Sequence, residues 1–252
     1  MKSSRLLKYF EEFIKKIDMN NPWAKAKYFH SLKSMDIARN IASDLNIFTE
    51  EELVVIELIA LFHDIGNFEE KNHNYLDNPE EDSTMASIHI LFDEGLIRKI
   101  TSDTKYDTII KLGIFCHNKD ALPKNIDEKT ATICNIMKDV YKIEEIRTVI
   151  NYPYIDNRIK EYPSELVYNS FKTFKKVNSK ISDNTADNIL IVLSNIFDLN
   201  FTSTCHKILE DGYINKIVDS LIYEDKKVEN FFKQIAGALN NYLNKKIVTI
   251  AK

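Results

Sequence analysis

Glycine and proline are scarce in this sequence, which contains only five residues of each among 252. Turn-rich β-sandwiches and β-barrels need many of both, so the composition disfavours those folds and favours long helices with short connections. The chain also lacks an apolar run of the roughly 20 residues that a membrane-spanning helix requires. Its first residues begin an amphipathic stretch and do not have the form of a signal peptide, so we expect neither secretion nor membrane attachment.

Cysteine and excess basic charge are lacking as well. The three cysteines are odd in number and include no Cys-x-x-Cys pair. This excludes a zinc ribbon, disfavours a disulfide framework and favours a reducing cytosol. The net charge of −4 provides no general electrostatic footprint for nucleic acid. A local basic patch built from Lys124, Lys129 and Lys138 stays open as a hypothesis.

Apolar residues recur at helical spacing through most of the chain, so we predict an all-α fold. An amphipathic helix opens the chain, and three or four helices follow residue 164. Between them, helices are predicted over about 26–45, 50–63, 83–95, 103–117 and 127–150. Thr49 and Glu52 fit a capping box at the start of the second of these helices. The polar segment 66–82 lacks periodicity and is predicted to form a loop or lid.

The dipeptide His63-Asp64 is the strongest candidate for chemistry in the sequence. It follows the largely apolar run 53–62 and is followed in turn by Gly66, which we expect to let the backbone turn away. Adjacent His and Asp side chains can bind one metal ion together, because nitrogen and oxygen donors both suit divalent cations. Two ligands do not complete a metal site, so matching ligands must come from elsewhere in the chain.

Four other positions could supply such ligands, namely His30, His89, His117 and Asp139. Asp139 has core-like neighbours, and a buried carboxylate needs a partner such as a cation. Taken singly, a helical histidine is more often a hydrogen-bonded core residue than a ligand, and Asp139 could pair with a lysine. The order His, His-Asp, Asp along the chain changes this balance in favour of a metal site.

This order resembles the HD-domain superfamily of metal-dependent phosphohydrolases, in which a His, a His-Asp pair and a distant Asp hold a divalent metal within an all-helical fold. The segment 63–68, His-Asp-Ile-Gly-Asn-Phe, is similar to the His-Asp-Ile-Gly-Arg-Phe motif of a bacterial branch of that superfamily. Segments 117–123 and 139–144 resemble two later motifs of the branch, and the similarity continues through 196–201 and 211–214. The resemblance covers most of the chain.

The resemblance implies an all-α HD-domain helical bundle with additional C-terminal helices. Nothing near residues 150–165 is typical of a flexible linker. We therefore predict one domain over 1–252, with the metal-site core at about 26–150 and a helical extension at about 164–252. One divalent ion per chain is expected, with Mn, Mg, Co, Fe and Ni as the candidates. The implied metal ligands are His30, His63, Asp64 and Asp139.

Such a site implies a hydrolase that acts on a nucleotide or another small phosphate ester. A divalent ion lowers the pKa of a bound water and polarises a phosphoryl oxygen. Asp64 and His117 are the expected catalytic residues, and His117 could contact the phosphate or protonate the leaving oxygen. The expected substrate contacts are Asn67, Asn118 and Lys142.

Three departures from the branch leave another function open. Asn67 replaces an arginine that could hold a phosphate, Ser83 replaces a histidine, and Tyr141 replaces an acidic residue. His89 lies six residues after Ser83 and does not replace that histidine by its spacing. The losses favour a single-metal site over a two-metal site, and they keep a non-catalytic binding or regulatory module as the main alternative.

Two further functions are less favoured. A di-iron oxygenase of the HD type needs two irons, and the missing histidine counts against it. A nuclease would need a basic stripe, which the sequence lacks. The oligomeric state stays open, and a homo-oligomer is compatible with the sequence.

Overall fold

A computed structural model describes residues 2–68, 79–151 and 157–250 of the chain. Within these residues the chain forms twelve α-helices and one two-stranded parallel sheet, joined by short 3₁₀ and π-helical turns. The predicted all-α class is confirmed. The chain divides into two compact units, residues 1–141 and 142–252, and the single domain expected from the sequence stays a prediction.

The first unit consists of helices α1 to α6 and most of α7. Their bounds are α1 (Ser3–Ile14), α2 (Pro22–Leu45), α3 (Glu50–Phe62), α4 (Pro79–Ile88), α5 (Leu96–Ile100), α6 (Asp107–Cys116) and α7 (Glu128–Asn151). A 3₁₀ helix (Ile65–Phe68) follows α3, and a π-helical segment (His89–Asp93) follows α4. The predicted capping box is confirmed: Thr49 Oγ1 accepts from the Glu52 N–H, and the Glu52 carboxylate accepts from the Thr49 N–H.

Helix α3 is the central helix of the first unit. Every residue from Val54 to Phe62 is buried, and the helix packs against α1, α2 and α6. Its one charged residue in this run, Glu57, forms an ion pair of 3.1 Å with Arg39, which offsets the cost of burying a carboxylate. A helix that is apolar on all sides belongs in a core. Helix α3 therefore carries the two residues at its C-terminal end, His63 and Asp64, into the interior of the unit.

Four predicted boundaries in the first unit differ from the structure, and the first is that of the helix predicted over 26–45, which begins at Pro22. The helix predicted over 83–95 begins earlier, at Pro79, and proline's backbone is compatible with the first helical turn. The loop predicted over 66–82 is shorter by residues 79–82, and its part at 69–78 lies outside the described residues. The helix predicted over 103–117 begins later, at Asp107.

The second unit contains the end of α7 and five further helices. Their bounds are α8 (Glu165–Phe171), α9 (Thr185–Ser194), α10 (Thr202–Glu210), α11 (Tyr213–Ser220) and α12 (Lys226–Ile250). Strands β1 (Arg158–Ile159) and β2 (Ile222–Tyr223) pair in parallel, with Arg158 opposite Ile222. They were not predicted, because two residues are too few to show the alternation of a strand. In the described part of the chain, no helix combines the length and the apolar character that crossing a bilayer requires.

Candidate metal centre

His30 on α2 meets the His63-Asp64 pair at the end of α3. The Nε2 atoms of His30 and His63 lie 3.2 Å apart. Asp64 Oδ2 lies 3.4 Å from His30 Nε2, and Asp64 Oδ1 lies 3.7 Å from His63 Nε2. One nitrogen or oxygen donor of each residue lies within 4.8 Å of the other two, which defines a cluster that could hold a metal ion.

Gly66 explains how the chain leaves this cluster. Its N–H donates a hydrogen bond of 2.9 Å to Ser87 Oγ of α4. A Cβ atom on Gly66 would lie 2.4 Å from the Ser83 carbonyl oxygen and 2.6 Å from the Ser87 nitrogen, which is closer than a side chain can approach. Its backbone is not left-handed. The backbone turns here into the 3₁₀ helix Ile65–Phe68, as expected, but glycine is required because α4 packs closely against it and not because the backbone is left-handed.

His63 and His117 both present a lone pair to Asp64. Nδ1 of His63 lies 2.8 Å from the Ala60 carbonyl oxygen, and Nδ1 of His117 lies 2.7 Å from that of Ile114. A carbonyl oxygen only accepts hydrogen bonds, so each Nδ1 carries the proton and each Nε2 of the neutral ring carries a lone pair. These two Nε2 atoms lie 3.7 and 3.8 Å from Asp64 Oδ1.

Burial keeps both of these rings neutral near neutral pH. It lowers the pKa of His63 to about 3, against the opposing effect of Asp64, and it also lowers the pKa of His117. Burial alone would raise the pKa of Asp64. Attraction to Lys27 and a hydrogen bond from His30 oppose this effect, and the pKa of Asp64 lies well below its ordinary value. Asp64 is therefore a carboxylate beside two unprotonated nitrogens.

These groups fit a divalent ion. Electron-rich atoms of His63, His117 and Asp64 face one another with no proton between them, an arrangement that a cation stabilises. Donors bound tetrahedrally at about 2.05 Å from a zinc ion lie roughly 3.3 Å apart. The separations of 3.2 and 3.4 Å around His30 are close to that value. Imidazole and carboxylate donors accept several divalent metals, so the cluster does not select one by its chemistry.

Lys27 is a further polar residue of the site, and it was not predicted from the sequence. Its Nζ lies 3.0 Å from Asp64 Oδ2. It belongs to α2, three residues before His30, and therefore lies on nearly the same face of that helix. This spacing is the signal by which the sequence could have identified it.

The structure brings His117 to the cluster and places Asp139 outside the closest group of donors. The ring of His117 lies 4.8 Å from that of His63 and 5.6 Å from that of Tyr141, measured between centroids. Asp139 is fully buried in α7. Among the described residues, however, the group of mutually close donors consists of the three residues named above. The role of Asp139 as a fourth ligand stays a prediction.

Two of the predicted substrate contacts flank these residues along the chain. Asn67 is buried in the 3₁₀ helix, and its N–H donates a hydrogen bond of 3.0 Å to the Asp64 carbonyl oxygen. Asn118 follows His117 directly, and its Oδ1 atom is buried without a hydrogen-bond partner among the described residues. An unsatisfied buried acceptor costs about 1–3 kcal/mol. A ligand that donates a hydrogen bond to Asn118 would remove this cost.

Lys142 and His89 have other partners. Lys142 is buried, and its Nζ lies 2.8 Å from Asp198 Oδ2 and also donates to the Asp198 carbonyl oxygen. Both of these residues belong to the second unit. His89 is exposed, and its Nδ1 lies 2.9 Å from Asp93 Oδ2. His89 is therefore a surface residue and not a member of the cluster.

Comparison with known proteins agrees with this geometry. Residues 28–143 match the family model of the HD domain, and the match contains the cluster, His117 and Asp139. Residues 28–143 therefore match the HD domain, a helical family of metal-dependent phosphohydrolase type whose members typically bind divalent metals. Searches of curated proteins and of solved structures found no significant match. The similarity to the bacterial branch of the superfamily stays a prediction.

Proposed function

We propose that the protein is a metal-dependent phosphohydrolase that cleaves a nucleotide or another small phosphate ester. The observation that carries the proposal is the cluster of His30, His63 and Asp64 within an HD domain. The three residues present two imidazoles and one ionised carboxylate at separations that suit one divalent ion. Asp139 is proposed as the fourth ligand.

When bound by these residues, a divalent ion would supply Lewis acidity for the activation of a water and the polarisation of a phosphoryl oxygen. The protein supplies orientation. The hydrogen bond from His63 Nδ1 to Ala60 fixes the ring so that Nε2 points towards the cluster. Asp64 is proposed both as a metal ligand and as a catalytic residue. Its Oδ2 lies beside His30, while its Oδ1 lies beside His63 and His117. We assign Oδ1 to accept a hydrogen bond from the attacking water.

His117 is proposed to act on the substrate through Nε2. Burial lowers its pKa, so the ring is neutral near neutral pH and its Nε2 accepts a hydrogen bond from the attacking water or from a protonated phosphate oxygen. Donation of a proton to the leaving oxygen would require prior protonation of the ring, which an approaching phosphate dianion favours. The fixed hydrogen bond to Ile114 keeps Nε2, and not Nδ1, as the reacting nitrogen in both cases.

The proposed substrate contacts differ in how well the structure supports them. Asn118 is the strongest of the three, because its buried Oδ1 has no hydrogen-bond partner in the described residues. Asn67 is buried one residue after Gly66 and could orient a substrate oxygen. Lys142 is the weakest, because its ammonium is already paired with Asp198.

A second candidate function is a non-catalytic binding module. The observation that favours it is the ion pair of 3.0 Å between Lys27 and Asp64. This ammonium neutralises the carboxylate without a metal ion, so the fold does not depend on metal for charge balance.

The deciding experiment combines metal analysis with phosphate release from a panel of nucleotides in the presence of Mn²⁺, Mg²⁺, Co²⁺, Fe²⁺ or Ni²⁺. We expect one ion per chain and metal-dependent turnover that Asp64→Ala abolishes. Asp36→Ala is the matched control, because Asp36 is an exposed carboxylate on α2. The hydrolase proposal fails if no metal promotes turnover or if Asp64→Ala leaves turnover unchanged. Two irons per chain would instead support an oxygenase, and a folded chain that binds no metal would support the binding module.

A further inference from the structure

Lys27 contacts the metal cluster from helix α2. Its side chain is 30% exposed, whereas that of Asp64 is only 11% exposed. Lys27 is therefore in contact with solvent and also with a nearly buried carboxylate. Because Lys27 precedes His30 by one helical turn, the ammonium is held beside the ligands by a regular helix and not by a loop.

The Lys27 ammonium can donate more hydrogen bonds than it makes within the described part of the chain. A lysine ammonium carries three donors. In the described part of the chain, the hydrogen bond to Asp64 Oδ2 is the contact that engages the Lys27 side chain. The same oxygen lies 3.4 Å from His30 Nε2 and is the Asp64 atom closest to that ring. A metal ion bound to Asp64 Oδ2 would weaken the attraction between this oxygen and the Lys27 ammonium. The N–H donors of Lys27 would then be able to bind an anion.

Lys27 shifts the local charge in favour of an anion. The Lys27 ammonium lies 3.0 Å from the Asp64 carboxylate and balances its charge. With one divalent ion and the Asp139 carboxylate proposed as its fourth ligand, the site would have a net charge of +1. The four predicted ligands and the ion without Lys27 would have no net charge. Lys27 thus adds the positive charge that a phosphate monoester dianion requires for tight binding.

We infer that Lys27 binds the phosphoryl group of the substrate beside the metal ligands. The inference rests on the proposed function, because it concerns the same site. Asn67 is neutral and buried, so it cannot supply a cation to a phosphate. Lys27 supplies this cation from α2, the helix that also carries His30.

Binding of inorganic phosphate to the Mn²⁺-loaded full chain tests the inference without any need for turnover. We expect Lys27→Met to weaken phosphate binding about tenfold or more in calorimetry, since a hydrogen bond to a charged group is lost. Lys27→Arg should retain most of the affinity. Lys25→Met is the matched control, because Lys25 is exposed on the same helix, and it should bind phosphate as the wild type does. Mn²⁺ binding is measured on each variant.

Three outcomes would overturn the inference. Lys27→Met could bind phosphate as tightly as the wild type. It could bind Mn²⁺ more tightly with unchanged phosphate affinity, which would make Lys27 only a substitute for the metal. It could be destabilised with unchanged phosphate affinity, which would make the ion pair to Asp64 only structural.

A second measurement uses the unaltered chain and therefore does not depend on the folding of a variant. In the Mn²⁺-loaded protein, inorganic phosphate should slow the acetylation of Lys27 and leave that of Lys25 unchanged, as read by mass spectrometry. Equal acetylation of Lys27 with and without phosphate would contradict the inference. If phosphate protects Lys27 while no ester is hydrolysed, the inference stands and the hydrolase proposal fails. If esters are hydrolysed but phosphate does not protect Lys27, the hydrolase proposal stands and the inference about Lys27 fails.

Discussion

A Cβ atom placed on Gly66 would lie 2.4 Å from the carbonyl oxygen of Ser83. The two backbones approach this closely because α4 packs against the turn that follows His63 and Asp64. The obstacle is backbone and not a flexible side chain, so α4 must shift to accommodate any larger residue. The packing of α4 and the position of the metal ligands are therefore coupled through one glycine.

We expect Gly66→Ala to lower the free energy of unfolding by about 1–3 kcal/mol, because overpacking displaces α4. Urea unfolding monitored by circular dichroism measures the change. Gly237→Ala is the matched control: no atom lies within 4 Å of a Cβ at this position in α12, so the same substitution should stabilise the helix by up to about 1 kcal/mol. A Gly66→Ala protein as stable as the wild type would contradict the close packing.

The stability of the metal-free protein should depend on pH through His63. Its ordinary pKa is 6.5, and burial lowers it to about 3 in the folded chain. Between these values the unfolded chain binds a proton that the folded chain does not. The free energy of unfolding therefore falls as the pH falls from 6.5 towards 3, by about 2 kcal/mol between pH 7 and pH 5. The lowered pKa of His117 adds an effect of the same sign.

Urea unfolding of the metal-free protein at several pH values checks this prediction. His63→Gln should be less sensitive to pH, because it removes the larger of the two effects. His89→Gln is the matched control for the loss of a histidine, because its ring is exposed and lies outside the cluster. The prediction is wrong if His63→Gln retains the full pH dependence.

Asp139 should contribute to metal binding although it lies outside the closest group of donors. We expect Asp139→Asn to lower the affinity for Mn²⁺ about tenfold or more, because an amide is a weaker metal ligand than a carboxylate. His117→Ala should still bind one Mn²⁺ per chain. Calorimetric titration of the metal-stripped variants measures both effects. Unchanged Mn²⁺ affinity in Asp139→Asn would leave a site of three protein ligands, His30, His63 and Asp64.

Much of the local structure could be predicted from the sequence because it depends on neighbouring residues. The capping box of Thr49 and Glu52 is set by residues three apart, and the course of α3 follows from its continuous apolar run. The His63-Asp64 pair was identifiable because the two residues are adjacent. The pairing of β1 with β2 was not, because it joins two short segments about 60 residues apart along the chain.

Within the site, the sequence by itself determined which residue types could bind a metal and in what order they occur. Only the tertiary structure decided that His117 Nε2 lies 3.8 Å from Asp64, that Lys27 neutralises the same carboxylate and that Lys142 is paired with Asp198. It also decided that glycine is required at position 66 by the close packing of α4 and not by a left-handed backbone. The physical reason is that helix periodicity encodes which face of a helix is buried. Packing between helices sets which polar groups meet, and packing depends on contacts that are distant along the chain.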